Sequence, residues 1–493
     1  MRRTAHHLVP DPARVTTAVF LPGQELRSGA SRSSGVLERV CALEPAEVDA
    51  ALVDLRERFA HRHADLERIW LASFALVEHR LPRSRVSDEQ RRLLIGATFT
   101  QEVSLEGAAL CNPSIVAHPD QGGLPPGSLR LVLSLRAVGE GHRSSIELRT
   151  ATIDAADDLV IDPVEGAPVR ALTRHGPYER TAFEHHLADV GGARASADFV
   201  LSQLGLTFSR ADLDAALVRL RRQLLTRGES VREIAILEDV AARCYTSSFA
   251  AASTLDQRVL VAEHDFERQG LEDLRLTPLR TLAGERTFAG TYTAFDGRSA
   301  RGQLLRTKDF RTFSSAPLVG PGARDKGLAL FPRPIGGRYA ALSRADRETN
   351  SLTWSTDLIH WTEPIALQHP GRRWDLVQLG NCGSPLETER GWLVLTHGVG
   401  PMRTYGIGAL LLDRDDPTRV LGSLPYPLLT PAASERSGYV PNVVYSCGSL
   451  LHGRTLVLPY GCSDTSTRIA TVDLDSLLDA LAGHPSPIGG ETR

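Results

Sequence analysis

The chain reads as an all-β five-bladed β-propeller with an α-helical N-terminal extension and a helical insertion. Three features predict this. First, from about residue 108 the sequence is crowded with short β-type runs punctuated by Gly, Pro, Asn and Asp, among them "SLRLVLSLRAV", "SSIELRTATI", "GTYTAF", "GWLVLTHGV" and "TLVLPYG". Second, one unit recurs as "ELRTATIDAADDLVI" (147–161), "QLLRTKDFRTFSSAPLV" (303–319), "LTWSTDLIHWTEPIAL" (352–367), "ALLLDRDDPTRVLGSLPYPLL" (409–429) and "IATVDLDSLL" (469–478). Each copy is an apolar strand, a polar turn carrying Asp, and an aliphatic or aromatic residue returning to a second strand. Third, helical periodicity is confined to the first hundred residues and to the long gap between the first two copies. Five units, each too small to bury its own faces, bury them when arranged radially.

The elements follow in order. Residues 43–83 read as helix, with Pro45 and Glu47 suited to a first turn. There Val48, Leu52, Leu55, Phe59, Leu66, Trp70, Phe74, Val77 and Leu81 recur near helical spacing, with a break expected near His61–Asp65. A further helix is expected at "SDEQRRLL", where Ser87 and Gln90 have capping-box spacing. In the gap, "SRADLDAALVRLRRQLL" puts Leu213, Leu217, Leu220 and Leu224 on one face behind a Ser209 cap. The expected organisation is a mostly helical extension over 1–95 and a propeller over 96–485, with the helical insertion at about 165–240.

Composition excludes several functions. The 493 residues are 42% apolar and 23% charged with net charge −3, so no basic field argues for nucleic acid or an anionic membrane. The N-terminus "MRRTAHHLVPDPARV" has no apolar h-region and no run approaches the roughly 20 apolar residues of a membrane helix, so a cytoplasmic location is expected. Cysteines 41, 111, 244, 382, 447 and 462 are scattered without metal-ligand spacing and read as reduced thiols. No metal and no cofactor are expected, since no loop concentrates carboxylates as an oxygen cage requires. Of the 56 basic residues only Lys308 and Lys326 are lysines, and a compact ammonium is not interchangeable with a guanidinium. Surplus apolar surface on the N-terminal helices predicts a homodimer.

In a propeller the blades converge on one channel, so a site is sought among residues far apart in sequence. Each blade offers candidates of the kind that hold sugars and anions. These are Asn112 in "LCNPSIVAHPD", Arg136 and Ser144 in "SLRAVGEGHRSS", Asp273 in "GLEDLR" and Arg301 in "TAFDGRSARGQLL". Lys326 follows in "ARDKGLALFPR", His397 in "GWLVLTHGVG" and Asp464 in "YGCSDTSTRIA". Taken singly, each has an ordinary structural reading: a turn Asn, a surface-paired Arg, a loop His. In "RQGLEDLRLTPLR" (268–280), strand alternation puts Asp273 and Arg275 on one face toward the channel and Glu272 on the other, buttressing from behind.

The segments "CNPSIV", "GLEDLRL", "TYTAFDGRSARGQLLRTKDF", "KGLALFPRPIGGRYAALSR", "GNCGSPLETERGWLVLTHGV", "YGIGALLLDRDDPTRVLG" and "VPNVVYSCGSLLHGRTLVLPYGCSDTSTRIATVDLDSLL" resemble glycoside hydrolase family 130 over about residues 108–480. That family comprises β-mannoside phosphorylases and related β-mannosidases, built as five-bladed propellers. The resemblance implies an inverting phosphorylase that cleaves β-mannosides, β-1,2-linked manno-oligosaccharides foremost, with inorganic phosphate as co-substrate to give α-mannose 1-phosphate. It implies Asp273 as the proton donor, acting through a hydroxyl of the sugar, and Arg301 and His397 as phosphate-binding residues. Lys326 is the third phosphate candidate, with Arg324 two residues away as its alternative. Asn112, Arg136, Ser144 and Asp464 then hold the mannosyl group. Leu274 stands where the family usually has Pro or Ala. An inverting β-mannosidase is the competing reading and requires a second carboxylate about 6.5–9.5 Å from the acid, for which Glu387, Glu389 and Glu263 are candidates. A propeller that binds glycans or proteins without chemistry is the third.

Overall fold

Antiparallel hairpins with polar turns dominate the chain, as the alternating apolar runs require. The computed structural model describes residues 1–23, 31–81, 88–191, 194–224 and 231–484. Five groups of mainly antiparallel strands follow one another along the sequence as sheets, the first two joined into one twelve-stranded sheet, beside two separate two-stranded pairs. The first is built on strands Ala109–Ala117, Leu129–Val138 and Ser144–Ile153, the second on Gly270–Arg280, Arg286–Phe295, Ala300–Thr307 and Thr312–Pro317. The third comprises Ala329–Leu330, Tyr339–Ser343, Asn350–Ser355 and Ile365–Gln368, and the fourth runs from Gln378–Asn381 through Gly391–Val399 and Tyr405–Leu412 to Val420–Ser423. The fifth contains Val444–Tyr445, Thr455–Cys462 and Ser466–Asp473. A parallel bridge from Gly270 to Ser144 ties the first two together.

The five recurring segments are the outer parts of these five sheets. The last copy runs into the helix Leu474–Ala482 instead of another strand, and the N-terminal strand Arg2–Leu8 takes that edge by pairing with Ser466–Asp473. A mostly helical reading of the first residues therefore misses a strand whose partner lies at the other end of the sequence.

Apolar cores lie between neighbouring sheets in cyclic order. Leu148 and Leu276 share one core, Leu304 and Ala341 the next, Leu342 and Val394 a third, and Leu395 and Leu458 a fourth. A fifth core, with Leu133 and Val457, joins the first sheet to the last. This cyclic order brings the first strands of all five sheets together. Cys447 N–H donates to Pro113 O at 2.8 Å. Arg275 Nε donates to Asn381 Oδ1 at 3.1 Å, and Asn381 Nδ2 to Gly327 O at 2.6 Å.

The helical parts have cores of their own. Helices Arg32–Cys41, Pro45–Phe59, Leu66–Val77 and Glu89–Thr98 pack around Leu37, Leu52, Trp70 and Ile95, with the helical run interrupted at residues 60–65, where the break was expected. Ser87 lies outside the described residues; the last of these helices is capped by Asp88, whose side chain accepts from Gln90 N at 3.2 Å. The insertion places Leu213, Leu217 and Leu220 in a core with Tyr178, Phe183 and Leu237, and Ser209 Oγ accepts from Asp212 N at 3.2 Å. The side chain of Leu224 lies outside the described set.

Candidate active site

Asp273 is placed by a break in its strand. Glu272 pairs with Thr293 and Arg275 with Thr291, so two residues, Asp273 and Leu274, stand opposite Tyr292 alone. This is a β-bulge, and Asp273 adopts φ +57° in it, a conformation a non-glycine residue takes only under constraint. The bulge shifts the alternation. Glu272 and Arg275 share a face with Thr293 and Thr291, while Leu274 turns into the core with Tyr292. The expected placement of Glu272 behind Asp273 is therefore corrected: both carboxylates reach the same guanidinium. Arg136 Nη2 donates to Glu272 Oε1 at 2.7 Å, and its Nη1 lies 3.6 Å from Asp273 Oδ1. Behind the bulge, buried Glu267 accepts from Tyr245 OH at 3.1 Å and from Tyr292 OH at 3.4 Å.

Asn112 and Asp464 sit on similarly constrained backbone, with φ +49° and +48°. Asn112 occupies a register shift in its own strand and donates Nδ2 to Asp273 Oδ1 at 2.7 Å. Ser144 accepts from Arg136 Nε at 2.9 Å, so it orients the arginine that touches both acids. Asp464 lies within electrostatic reach of Asp273, Arg136, Lys326 and Arg403; its burial first, and Asp273 next, push its carboxyl up. Burial would also push Asp273 up, but Arg136, Lys326 and Arg275, with the Asn112 amide, outweigh it and hold that carboxyl below the usual range. Glu272 is pushed up by burial against the pull of Arg136. Of the two neighbouring acids, Asp273 is the one held lower.

Opposite lies a cationic wall. One small cavity is lined by Asp273, Arg275, Thr293, Lys326, Arg344, Asn381, His397 and Tyr445, with Gly327 and Gly380. Arg275 is fully engaged, donating Nη1 to Asp273 O at 3.2 Å and Nη2 to Tyr445 OH at 2.5 Å. Lys326 Nζ is held only loosely, 3.9 Å from Glu272 Oε2. Arg344 lies 3.9 Å from Asp325 and 3.3 Å from His397 Nε2. His397 Nδ1 lies 3.1 Å from Asn381 O, an acceptor only, so Nδ1 carries the proton and Nε2 faces Arg344 as a lone pair. Burial, then Arg344, hold His397 far below the usual histidine range. The histidine expected among the cations is neutral. Gly380 is required beneath it, since a Cβ there would stand 2.3 Å from His397 Cε1.

A wider space of about 580 Å³ adjoins this cavity through Lys326 and Arg344 and is bordered by Arg298 and Arg347. Arg324 lines a third space with Lys326 and Arg344 but not the cavity of Asp273, which favours Lys326 of the two. Arg301 does not reach the cavity either. Its neighbour Gly302 pairs with Thr293, the cavity-lining residue, whereas Arg301 pairs with Ala294, one position out of phase. Its electrostatic neighbours are His186, Arg243 and Asp296, toward the helical insertion. Arg344, which sequence reading passed over, supplies the missing guanidinium; its only local signal is the end of the strand Tyr339–Ser343. The other carboxylates proposed as a base are occupied elsewhere. Glu387 pairs with Arg333 and Arg414, Glu389 with Arg454, and Glu263 with Arg170.

A family model described as β-1,4-mannooligosaccharide phosphorylase matches residues 251–482. The 1,2-β-oligomannan phosphorylase of Thermoanaerobacter sp. is 31% identical over 229 residues, which cover 45% of this chain and 75% of that one. The chain belongs to glycoside hydrolase family 130, the β-mannoside phosphorylase family. Within this family, the β-1,2-mannobiose phosphorylase of Listeria innocua is 32% identical over 238 residues, 46% of this chain and 65% of that protein. The β-1,4-mannooligosaccharide phosphorylase of Ruminococcus albus is 31% identical over 192 residues, 36% and 57% of the two chains. The solved structure of the Listeria innocua β-1,2-mannobiose phosphorylase with β-1,2-mannobiose aligns over 78% of this chain and 94% of that one, at 22% identity and TM-score 0.46. Asp273, Lys326, Arg344, His397 and Asp464 fall inside the span matched by the family model, whereas Asn112, Arg136 and Ser144 precede it.

Arg301→Gln is expected to leave the Michaelis constant for phosphate within about twofold of the unaltered enzyme, because an exposed charge directed away from the cavity is screened by solvent. Steady-state kinetics at varied phosphate check this.

Proposed function

We propose that the chain is an inverting phosphorylase of β-mannosides, with β-1,2-linked manno-oligosaccharides as its substrates, and that its five sheets form a five-bladed β-propeller with the site at the hub. The observation that carries the reading is one cavity with Asp273 on one side and Lys326 and Arg344 on the other. The cyclic order of the interstrand cores supports the propeller. The expected limits, 1–95 for the extension and 96–485 for the propeller, belong to the same reading, with Arg2–Leu8 added to the fifth sheet.

In this mechanism the mannosyl ring lies between the two sides. A phosphate oxygen forms the new bond to C1 as the glycosidic C1–O bond breaks, and the leaving oxygen takes a proton originating on Asp273. Lys326 and Arg344 offset the phosphate charge, one as a point charge and one as a fork. Neutral His397, whose Nε2 accepts from Arg344, adds no charge of its own and instead orients that guanidinium in the cavity. Asn112, Asp464 and Arg136, the last oriented by Ser144, hold the sugar and the acid. No metal takes part in this reading; among the described residues no group of three or more His, Cys, Asp or Glu is placed to hold one. No described helix is long and apolar enough to cross a membrane, and a cytoplasmic enzyme remains part of the proposal. Val53, Leu71 and Leu76, exposed on the N-terminal helices, support a homodimer.

Incubation with β-1,2- and β-1,4-mannobiose, with and without inorganic phosphate, tests the reading. The expected products are α-mannose 1-phosphate and mannose, formed only when phosphate is present. Equal cleavage without phosphate would place the chain among the hydrolases.

A further inference from the structure

We propose that Tyr439, backed by His142, is the platform on which the outgoing portion of the mannoside chain rests; this builds on the phosphorylase reading above. Tyr439 is 57% exposed, yet it is held at both ends. Its N–H donates to Thr465 Oγ1 at 2.8 Å, beside Asp464. Its hydroxyl lies 3.1 Å from His142 Nδ1, with the two rings 5.6 Å apart and inclined by 32°.

His142 stands in the turn between the strands that carry Arg136 and Ser144. That turn is tied to the approach to the bulged strand, because Gln269 Nε2 donates to Gly141 O at 2.7 Å. The aromatic pair therefore spans from the Asp464 turn of the fifth sheet to the Arg136–Ser144 turn of the first. Arg136 and Asp464 are both electrostatic neighbours of Asp273.

Inversion puts the incoming phosphate and the departing oxygen on opposite faces of the mannosyl ring. With Lys326 and Arg344 on the third-sheet side, the departing sugar leaves on the Asp273 side, where Tyr439 and His142 stand. The phenol ring offers an apolar face to the C–H face of a sugar and carries no charge to attract phosphate. Because the ring is already tethered at its backbone and its hydroxyl, little freedom is lost when a sugar settles on it. The platform thus reads the length of the chain beyond the cleaved bond.

Calorimetric titration without phosphate tests the platform, using mannobiose, mannotriose and mannotetraose of both β-1,2 and β-1,4 linkage. For the unaltered protein, affinity is expected to rise with chain length. Tyr439→Ala is expected to bind the triose about 10-fold more weakly, the scale of one lost aromatic contact. Tyr439→Phe, which keeps the ring, is expected to stay within about twofold of the unaltered protein. Unchanged binding by Tyr439→Ala, or an equal loss in Tyr439→Phe, overturns the platform while phosphate-dependent turnover by the unaltered enzyme upholds the phosphorylase. If the unaltered protein binds none of these sugars and shows no such turnover, both ideas fall.

Discussion

Asp273→Asn is expected to lower kcat/KM for phosphorolysis of mannobiose by about 10³-fold or more, in line with the loss of a positioned general acid. Asparagine keeps the shape of aspartate and an oxygen to accept from Asn112, but it has no proton to give to the leaving oxygen. The bulge should survive, because asparagine is among the residues that best tolerate a positive φ, and φ is +57° at this position. Binding of the intact mannoside is therefore expected to persist while turnover fails. Single-turnover kinetics with titration of the unreacted sugar would separate the two. A variant that turned over at the normal rate would remove Asp273 from the chemistry.

Lys326→Met and Arg344→Met are expected to raise the Michaelis constant for phosphate by roughly 10- to 100-fold each, since a hydrogen bond to a charged partner is worth about 1.5–3 kcal/mol. They differ in what else they disturb. Lys326 is 39% exposed at its side chain and 3.9 Å from its carboxylate partner, so its loss leaves little unpaired. Arg344 is 11% exposed and touches both His397 and Asp325, so its loss also frees the imidazole.

The same cations link phosphate to the acid. In the free site Arg136, Lys326 and Arg275 hold Asp273 below the usual carboxylate range, so at neutral pH it is ionised and unable to donate. A phosphate anion beside Lys326 weakens that hold and adds its own negative field, and both effects raise the carboxyl toward its protonated form. Phosphate binding is thus expected to take up as much as about one proton per site. Calorimetry in buffers of different ionisation enthalpy measures this uptake, which Asp273→Asn should abolish.

Much of this molecule can be read from residues in order along the chain. The strand-turn-strand units, the helical faces behind Pro45 and Ser209, and the acid-bearing "GLEDLR" all follow from local periodicity and turn chemistry, which need no distant partner. Arg136 and His397 could be nominated in the same way, because each interrupts an apolar run with a polar group, whereas Asn112, Ser144, Lys326 and Asp464 stand in polar turns and strand ends, and it is the family resemblance that singles them out. Which of them meet was decided by tertiary structure. The strand Arg2–Leu8 finds its partner more than 450 residues away, and no local signal records such a pairing. The bulge at Asp273 breaks the period of two, so Glu272 joins the acid on Arg136 instead of standing behind it. A single step of register directs Arg301 away from the cavity, while Arg344 is brought in from a third sheet to stand beside a histidine that burial keeps neutral.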